Sequence, residues 1–305
     1  MRLKFAALGL AMAAAVAVPS VVSTTASAKP ADAPSRYFQP RDLFALEFAS
    51  QPQVRPDGGM IAYVRASYDI MTDKARNAIW LVNPATGAQS PLIAAGGSPR
   101  WSPDGKRLAY VAADGEGGPQ LMVRWMDTGT TARLATLPEA PGDLSWSPDG
   151  RYIAFTQFEH DDGPKLGAPL PRPEGAKWAE PLTVIDKINY RADGAGYLDP
   201  GFTHVWVVSA DGGAPRQLTF GAFDDAGPLA WTPDSRQILV TSSRAADWEM
   251  NPQEADIFAV DVASGDARQL TTRKGPDAAP AVSPDGRLIA YIGFDDHDQI
   301  GRAHV

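Results

Sequence analysis

For imidazole and thiol chemistry the chain holds four histidines and no cysteine. Without cysteine there is no thiolate nucleophile, no thiolate metal site and no disulfide. His160, His204, His297 and His304 do not fall into H-x-x-x-H or H-E-x-x-H spacing, the pattern that sets two imidazoles on one helix face toward a metal. His204 opens the run His204-Val205-Trp206 and reads as a strand residue with a structural role. Asp295, Asp296 and Asp298 flank His297, and Asp161-Asp162 follows His160. Neither group has the spacing of a calcium loop, and both read as solvated loop. No metal and no cofactor is expected. A serine nucleophile on a strand-to-helix elbow needs G-x-S-x-G. The nearest approach is Gly96-Gly97-Ser98-Pro99-Arg100, with Arg where the second Gly is needed, so no catalytic residue is assigned within this chain.

Recognition chemistry is better supplied. The stretch from about 160 to 200 holds Lys177, Trp178, Glu180, Asp186, Lys187, Tyr190, Arg191, Asp193 and Tyr197. Charged and aromatic groups on a loop suit the termini and side chains of a peptide. Trp178, Glu180, Tyr190, Arg191, Asp193 and Tyr197 are the candidates for such recognition. The alternative is that Trp178 and Tyr190 pack the loop down while Arg191 pairs with Asp193 or Asp186.

The elements that hold this loop are announced by repetition. "WSPDGKRLAY" at Trp101–Tyr110 returns as "WSPDGRYIAF", "WTPDSRQILV" and "VSPDGRLIAY", with a looser "VRPDGGMIAY" at Val54–Tyr63. In Ser-Pro-Asp-Gly, Pro presets φ at the second turn position, Ser and Asp offer side-chain oxygens to the turn backbone, and Gly closes it. Trp anchors the strand before the turn, and a β-rich run follows. Each copy is a hairpin, and stretches such as "HVWVVSADGGAPRQLT" add two more strands. Four strands per unit, with Pro56, Pro103 and Pro148 set about one blade apart, give an all-β class and a β-propeller. The gap from Pro148 to Pro233 is nearly double and contains the loop at 160–200, whose middle, Leu182–Tyr190, is expected to form a strand. The substitutions Val54, Val282, Arg55 and Ser235 are variations within the turn scheme. "PRDLFALEFAS" is expected to form a short helix in an extension spanning 29–50, with the propeller over 51–299.

With 44% hydrophobic and 21% charged residues, 305 residues can build a large core. A net charge of −8 argues against nucleic acid and anionic membranes as partners. Residues 1–28 read as a secretory signal peptide: Arg2 and Lys4, the apolar run Phe5–Val18, and Ala26-Ser27-Ala28 as cleavage site. An exported chain, periplasmic or secreted and not membrane-bound after cleavage, is therefore expected. The sequence leaves the oligomeric state open.

Three stretches carry a family resemblance: "RDLFALEFASQPQVRPDGGMIAYVR", "DKINYRADGAGYLDPGFTHVWVV" and "GGAPRQLTFG". Over about residues 36–298 the chain resembles the N-terminal propeller of the prolyl oligopeptidase (S9) family of serine peptidases, in its acylaminoacyl-peptidase and dipeptidyl-peptidase branch. That resemblance implies a propeller that restricts a catalytic chamber to short peptides. It also implies a separate α/β-hydrolase domain carrying Ser, Asp and His. The Glu-Glu pair of the dipeptidyl-peptidase IV branch is absent here, so that role is not carried over. The repeats also resemble TolB-like propellers, which implies as alternative a stand-alone periplasmic binder of a protein partner. A propeller enzyme with a central metal is disfavoured by the few, scattered histidines.

About five blades are begun and the fifth is unfinished, so the chain is expected to be a fragment. Ile300–Val305 back-translates to what looks like a sequencing-library adapter and is expected to be an artefact.

Overall fold

The computed structural model describes residues 37–112, 118–161, 167, 170–179 and 184–295. The expected signal peptide, Glu180, Asp162, Asp296, His297, Asp298, His304 and the final six residues lie outside them. The chain divides into Met1–Asp42 and Leu43–Val305. The Gln39 amide donates to Asp42 Oδ2 at 2.8 Å, a cap for a 3-10 turn over Pro40–Ala45. The expected helix is only this turn, with no buried residue. A segment so short gains too few hydrogen bonds to offset helix nucleation. The propeller also starts earlier than position 51, because Glu47–Ser50 already pair with Val64–Ser67.

Leu43–Val305 is built of antiparallel blades in series. The first holds β1 (Glu47–Val54), β2 (Ile61–Asp69), β3 (Lys74–Val82) and β4 (Gln89–Ile93). The second holds β5 (Gly97–Trp101), β6 (Arg107–Ala112), β7 (Gln120–Trp125) and β8 (Thr131–Thr136). The third holds β9 (Gly142–Trp146) and β10 (Tyr152–His160). After the hairpin β11 (Arg191–Ala192) and β12 (Gly196–Tyr197) it resumes with β13 (Gly201–Ser209) and β14 (Arg216–Gln217). The fourth holds β15 (Asp225–Trp231), β16 (Gln237–Ser242), β17 (Asp256–Asp261) and β18 (Ala267–Gln269). A two-stranded sheet, β19 (Asp277–Val282) with β20 (Ile289–Gly293), begins a fifth unit. First strands of successive blades are neighbours: β1 beside β5, β5 beside β9, β9 beside β15, β15 beside β19. The doubled spacing in the repeat is thus an insertion between β10 and β13 of one blade.

The repeated letters now have atoms. The Gly105 amide donates to the Ser102 carbonyl at 2.8 Å, closing the turn. Ser102 Oγ donates to Asp104 Oδ1 at 2.5 Å and accepts the Arg107 amide at 2.9 Å. Asp104 Oδ1 also accepts the Lys106 amide at 3.1 Å. The same set recurs at Ser147/Asp149, Thr232/Asp234 and Ser283/Asp285. The closing residue is left-handed, at φ 66° for Gly105 and 61° for Ser235. Ser235 offsets a conformation that favours glycine with a bond: its Oγ accepts the Asp149 amide of the preceding blade at 3.1 Å.

Trp does more than fill space. Trp101 Nε1 donates to the Gln53 carbonyl, Trp146 Nε1 to Arg100, and Trp231 Nε1 to Ser145, at 3.0, 3.0 and 3.3 Å. Each acceptor lies one residue before the matching position of the preceding blade. The cores also sit in the seams. Leu108 and Tyr110 pack with Ala62, Ile79 and Leu81 of the first blade, while Ala109 between them packs toward Leu144, Ile153 and Phe155 of the third. Alternate side chains of one strand serve two seams, so these second strands are apolar without alternation.

The turn carboxylates make the fold acid-sensitive. The Ser102 hydroxyl holds Asp104 below its ordinary value of 3.8, and Thr232 and Ser283 do the same for Asp234 and Asp285. Depressed folded-state values mean stability that is present above 3.8 and lost as pH falls through the folded values. Asp256, raised by burial, runs the other way. The thermal midpoint should fall between about pH 5 and about pH 2.5, and Asp104→Asn should flatten that slope. Identical slopes for the variant and the parent would contradict this assignment.

Candidate functional site

The insertion leaves the third blade at the end where its second strand meets its third. Its root is tightly closed. His160 and Gly201 are cross-strand partners, and the Asp161 amide donates to the Pro200 carbonyl at 2.9 Å. A Cβ on Gly201 would lie 2.3 Å from the Glu159 carbonyl and 2.5 Å from the Phe158 ring, so only glycine fits there.

The strand expected over Leu182–Tyr190 does not form in its described part, Val184–Tyr190. These residues have no neighbouring strand, and Val184, Ile185 and Ile188 are exposed. Pairing begins one residue later and is local: Arg191 opposite Tyr197 and Ala192 opposite Gly196, turned by Asp193-Gly194-Ala195 with Gly194 at φ 79°. The Leu198 amide donates to the Tyr190 carbonyl at 2.9 Å, and the Tyr190 and Tyr197 rings lie 6.2 Å apart at 33°.

Four of the six candidates, Tyr190, Arg191, Asp193 and Tyr197, therefore share one small hairpin. Trp178 lies outside it, and Glu180 lies outside the described residues. Tyr190, Tyr197 and Trp178 are 44%, 61% and 49% exposed, too open to act chiefly as packing. Among the described residues Arg191 forms no ion pair with Asp193 or Asp186. The loop is fastened elsewhere. Lys187 Nζ sits 4.3 Å from the Phe202 ring centroid, Phe202 meets Trp248 edge-on at 6.0 Å, and the Ile188 amide donates to Glu249 at 3.4 Å. Trp248 and Glu249 belong to the β16–β17 connection, so the insertion leans on the fourth blade.

Beneath the root lies a buried charged group that the sequence did not announce. Asp225 is fully buried, with Arg244 Nη2 at 3.0 Å from Oδ1 and His204 Nδ1 at 3.8 Å from Oδ2. Burial pushes the Asp225 carboxyl up, but His204, Thr219 and the Arg244 guanidinium together hold it below its ordinary value. Arg244 lies 4.2 Å from both the Phe223 and Phe258 ring centroids. His204, expected to be structural, is 5% exposed and lines a cavity of about 270 Å³ with Glu159, His160, Asp161 and Phe202. His160 Nε2 is 3.0 Å from Glu139 Oε1, and that carboxylate raises the imidazole above its ordinary value. The one available signal was Asp near the start of a first strand, seen again in Asp277 with Arg273. Among the described residues no group of three or more His, Asp or Glu is arranged to hold a metal ion. What this end of the blades presents is a set of aromatic, cationic and acidic side chains.

Blades of this topology, joined first strand to first strand, define a β-propeller. The family model for the dipeptidyl peptidase IV (DPP IV) N-terminal region matches residues 177–292, which include the hairpin and the fourth blade. The uncharacterized peptidase YuxL of Bacillus subtilis is 29% identical over 205 residues, 66% of this chain and 30% of that protein. Dipeptidyl-peptidase 5 of Porphyromonas endodontalis is 25% identical over 316 residues, 94% of this chain and 43% of that protein. Among solved structures, the acylaminoacyl peptidase of Pyrococcus horikoshii superposes with a TM-score of 0.59 at 17% identity, over 83% of this chain and 39% of that one. In its matched region and in these relatives the chain is similar to the N-terminal propeller part of S9-family peptidases. It spans less than half the length of the curated relatives it matches.

Proposed function

We propose that this chain is the substrate-gating propeller portion of an exported serine peptidase that hydrolyses short peptides. A hydrolase part elsewhere in the protein supplies the catalytic serine, histidine and aspartate. The observation that carries this reading is the insertion: a glycine-closed root, a fastening to the neighbouring blade, and a hairpin presenting Tyr190, Arg191, Asp193 and Tyr197 to solvent. Exposed aromatic rings on a fixed support suit contact with a peptide chain at low entropic cost. The signal-like residues 1–28 support export.

The test is to extend the reading frame in the parent genome, express the product, and compare short with long peptide substrates. Replacing Tyr190 and Tyr197 together by alanine should relax the preference for short peptides while leaving the fold intact. An extended frame without G-x-S-x-G, or a tyrosine variant with unchanged length preference, would overturn the gating role. A stable protein partner recovered with an extended chain lacking a hydrolase would favour the TolB-like alternative instead.

A further inference from the structure

We propose that a cavity between the first strands of the blades is a carboxylate-binding site centred on Arg100, which receives the C-terminal carboxylate of a peptide. This rests on the peptide reading above and concerns a different part of the molecule from the insertion.

The cavity measures about 430 Å³ and is lined by residues of β1, β5, β9 and β15, among them Gln53, Arg100, Trp101, Ser145, Trp146 and Pro228. That volume lies within the range of small-ligand sites. Arg100 stands directly before the repeat tryptophan. The residues at the same register in the other blades are Gln53, Ser145, Ala230 and Ala281, all neutral. The scaffold therefore does not demand a cation at this place.

The guanidinium is held in a defined plane. Nε donates to the Leu144 carbonyl and Nη1 to the Pro99 carbonyl, both at 2.8 Å. Nη2 donates to no protein group among the described residues. Burial pushes the Arg100 guanidinium down from its ordinary value, while Asp143 pushes it up. A cation that has already lost much of its water gains more from an anionic partner than a hydrated one does. Asp143 lines the same cavity and is the competing anion, but its Oδ2 accepts Thr156 Oγ1 and the Gly227 amide, both at 3.2 Å. No ion pair within 4 Å links it to Arg100 among the described residues. A carboxylate brings two acceptors to a fork whose spare donors point nowhere else. The indoles of Trp101 and Trp146 wall the cavity and report on its occupancy.

The experiment titrates the 305-residue chain with acetyl-dialanine as the free acid and as the C-terminal amide. Tryptophan fluorescence and calorimetry are the readouts. The free acid should bind about tenfold tighter than the amide, with an advantage that shrinks as salt is added. Arg100→Gln should erase the difference, and Arg100→Lys should keep part of it. Equal binding of acid and amide by the unaltered chain overturns the proposal without any variant needing to fold. So does an Arg100→Gln protein that still discriminates. An amidated peptide with an internal aspartate that binds as tightly as the free acid would overturn the assignment to the terminus. None of these readouts depends on hydrolysis, so loss of the peptidase reading and loss of this site are separate results.

Discussion

Replacing Trp146 with alanine should lower the unfolding free energy of the chain by about 3–5 kcal/mol, the range for removing a large buried aromatic side chain. Trp146 is 8% exposed and packs in the seam between the second and third blades with Leu121, Leu144, Ile153 and Phe155. Arg107 lies 4.8 Å from its ring centroid and donates onward to the Gly150 carbonyl at 2.9 Å. The indole N–H meets the Arg100 carbonyl. Trp146→Phe separates these contributions. It keeps most of the packing and leaves the Arg100 carbonyl without its donor, at a cost of about 1–3 kcal/mol. Blades that touch only their neighbours share stability through such seams, so one weakened seam should also lower unfolding cooperativity. Denaturant titration followed by circular dichroism gives both quantities. A Trp146→Ala cost below that of Trp146→Phe would contradict the packing argument.

The repeat made the hairpins legible because a turn is a local object. Ser102, Asp104 and Gly105 act on atoms within five residues of themselves, and their letters carry their roles. The same tryptophans could be read as anchors, but not as ties between blades. The acceptor of Trp231 is a carbonyl at Ser145, and no local pattern marks a backbone oxygen so far away. Asp225, His204 and Arg244 come from three separate segments that only blade packing brings together. The insertion was legible as an insertion from the doubled spacing. Its strand was misplaced because Val184, Ile185 and Ile188 look like a strand yet pair with no strand among the described residues, whereas Asp193-Gly194 turns the chain back on itself a few residues later. The boundary at Glu47 was missed for a similar reason. Its strand is fixed by pairing with Ser67, not by the letters of the segment.

Ten repeated letters also fail to say how buried they are, and this carries the second large effect. Leu108, Ala109 and Tyr110 are 0%, 0% and 5% exposed in the second blade, and Ile238, Leu239 and Val240 are 0%, 1% and 0% exposed in the fourth. Their counterparts in the last copy, Ile289 and Tyr291, are 41% and 42% exposed, with Leu288 at 71% and Ile292 at 74%. In the earlier blades a third strand pairs with the second, and the next blade covers its face. Among the described residues β20 pairs only with β19. Burial, not the letters, sets what a charge costs at each copy. Ile238→Lys should unfold the chain, because that side chain is fully buried in a packed seam and the ammonium would have no partner there. Ile238→Val removes a single methylene and should cost only about 0.5–1.5 kcal/mol. Thermal unfolding followed by circular dichroism compares the two. A folded Ile238→Lys protein with a midpoint like that of Ile238→Val would contradict the packing argument.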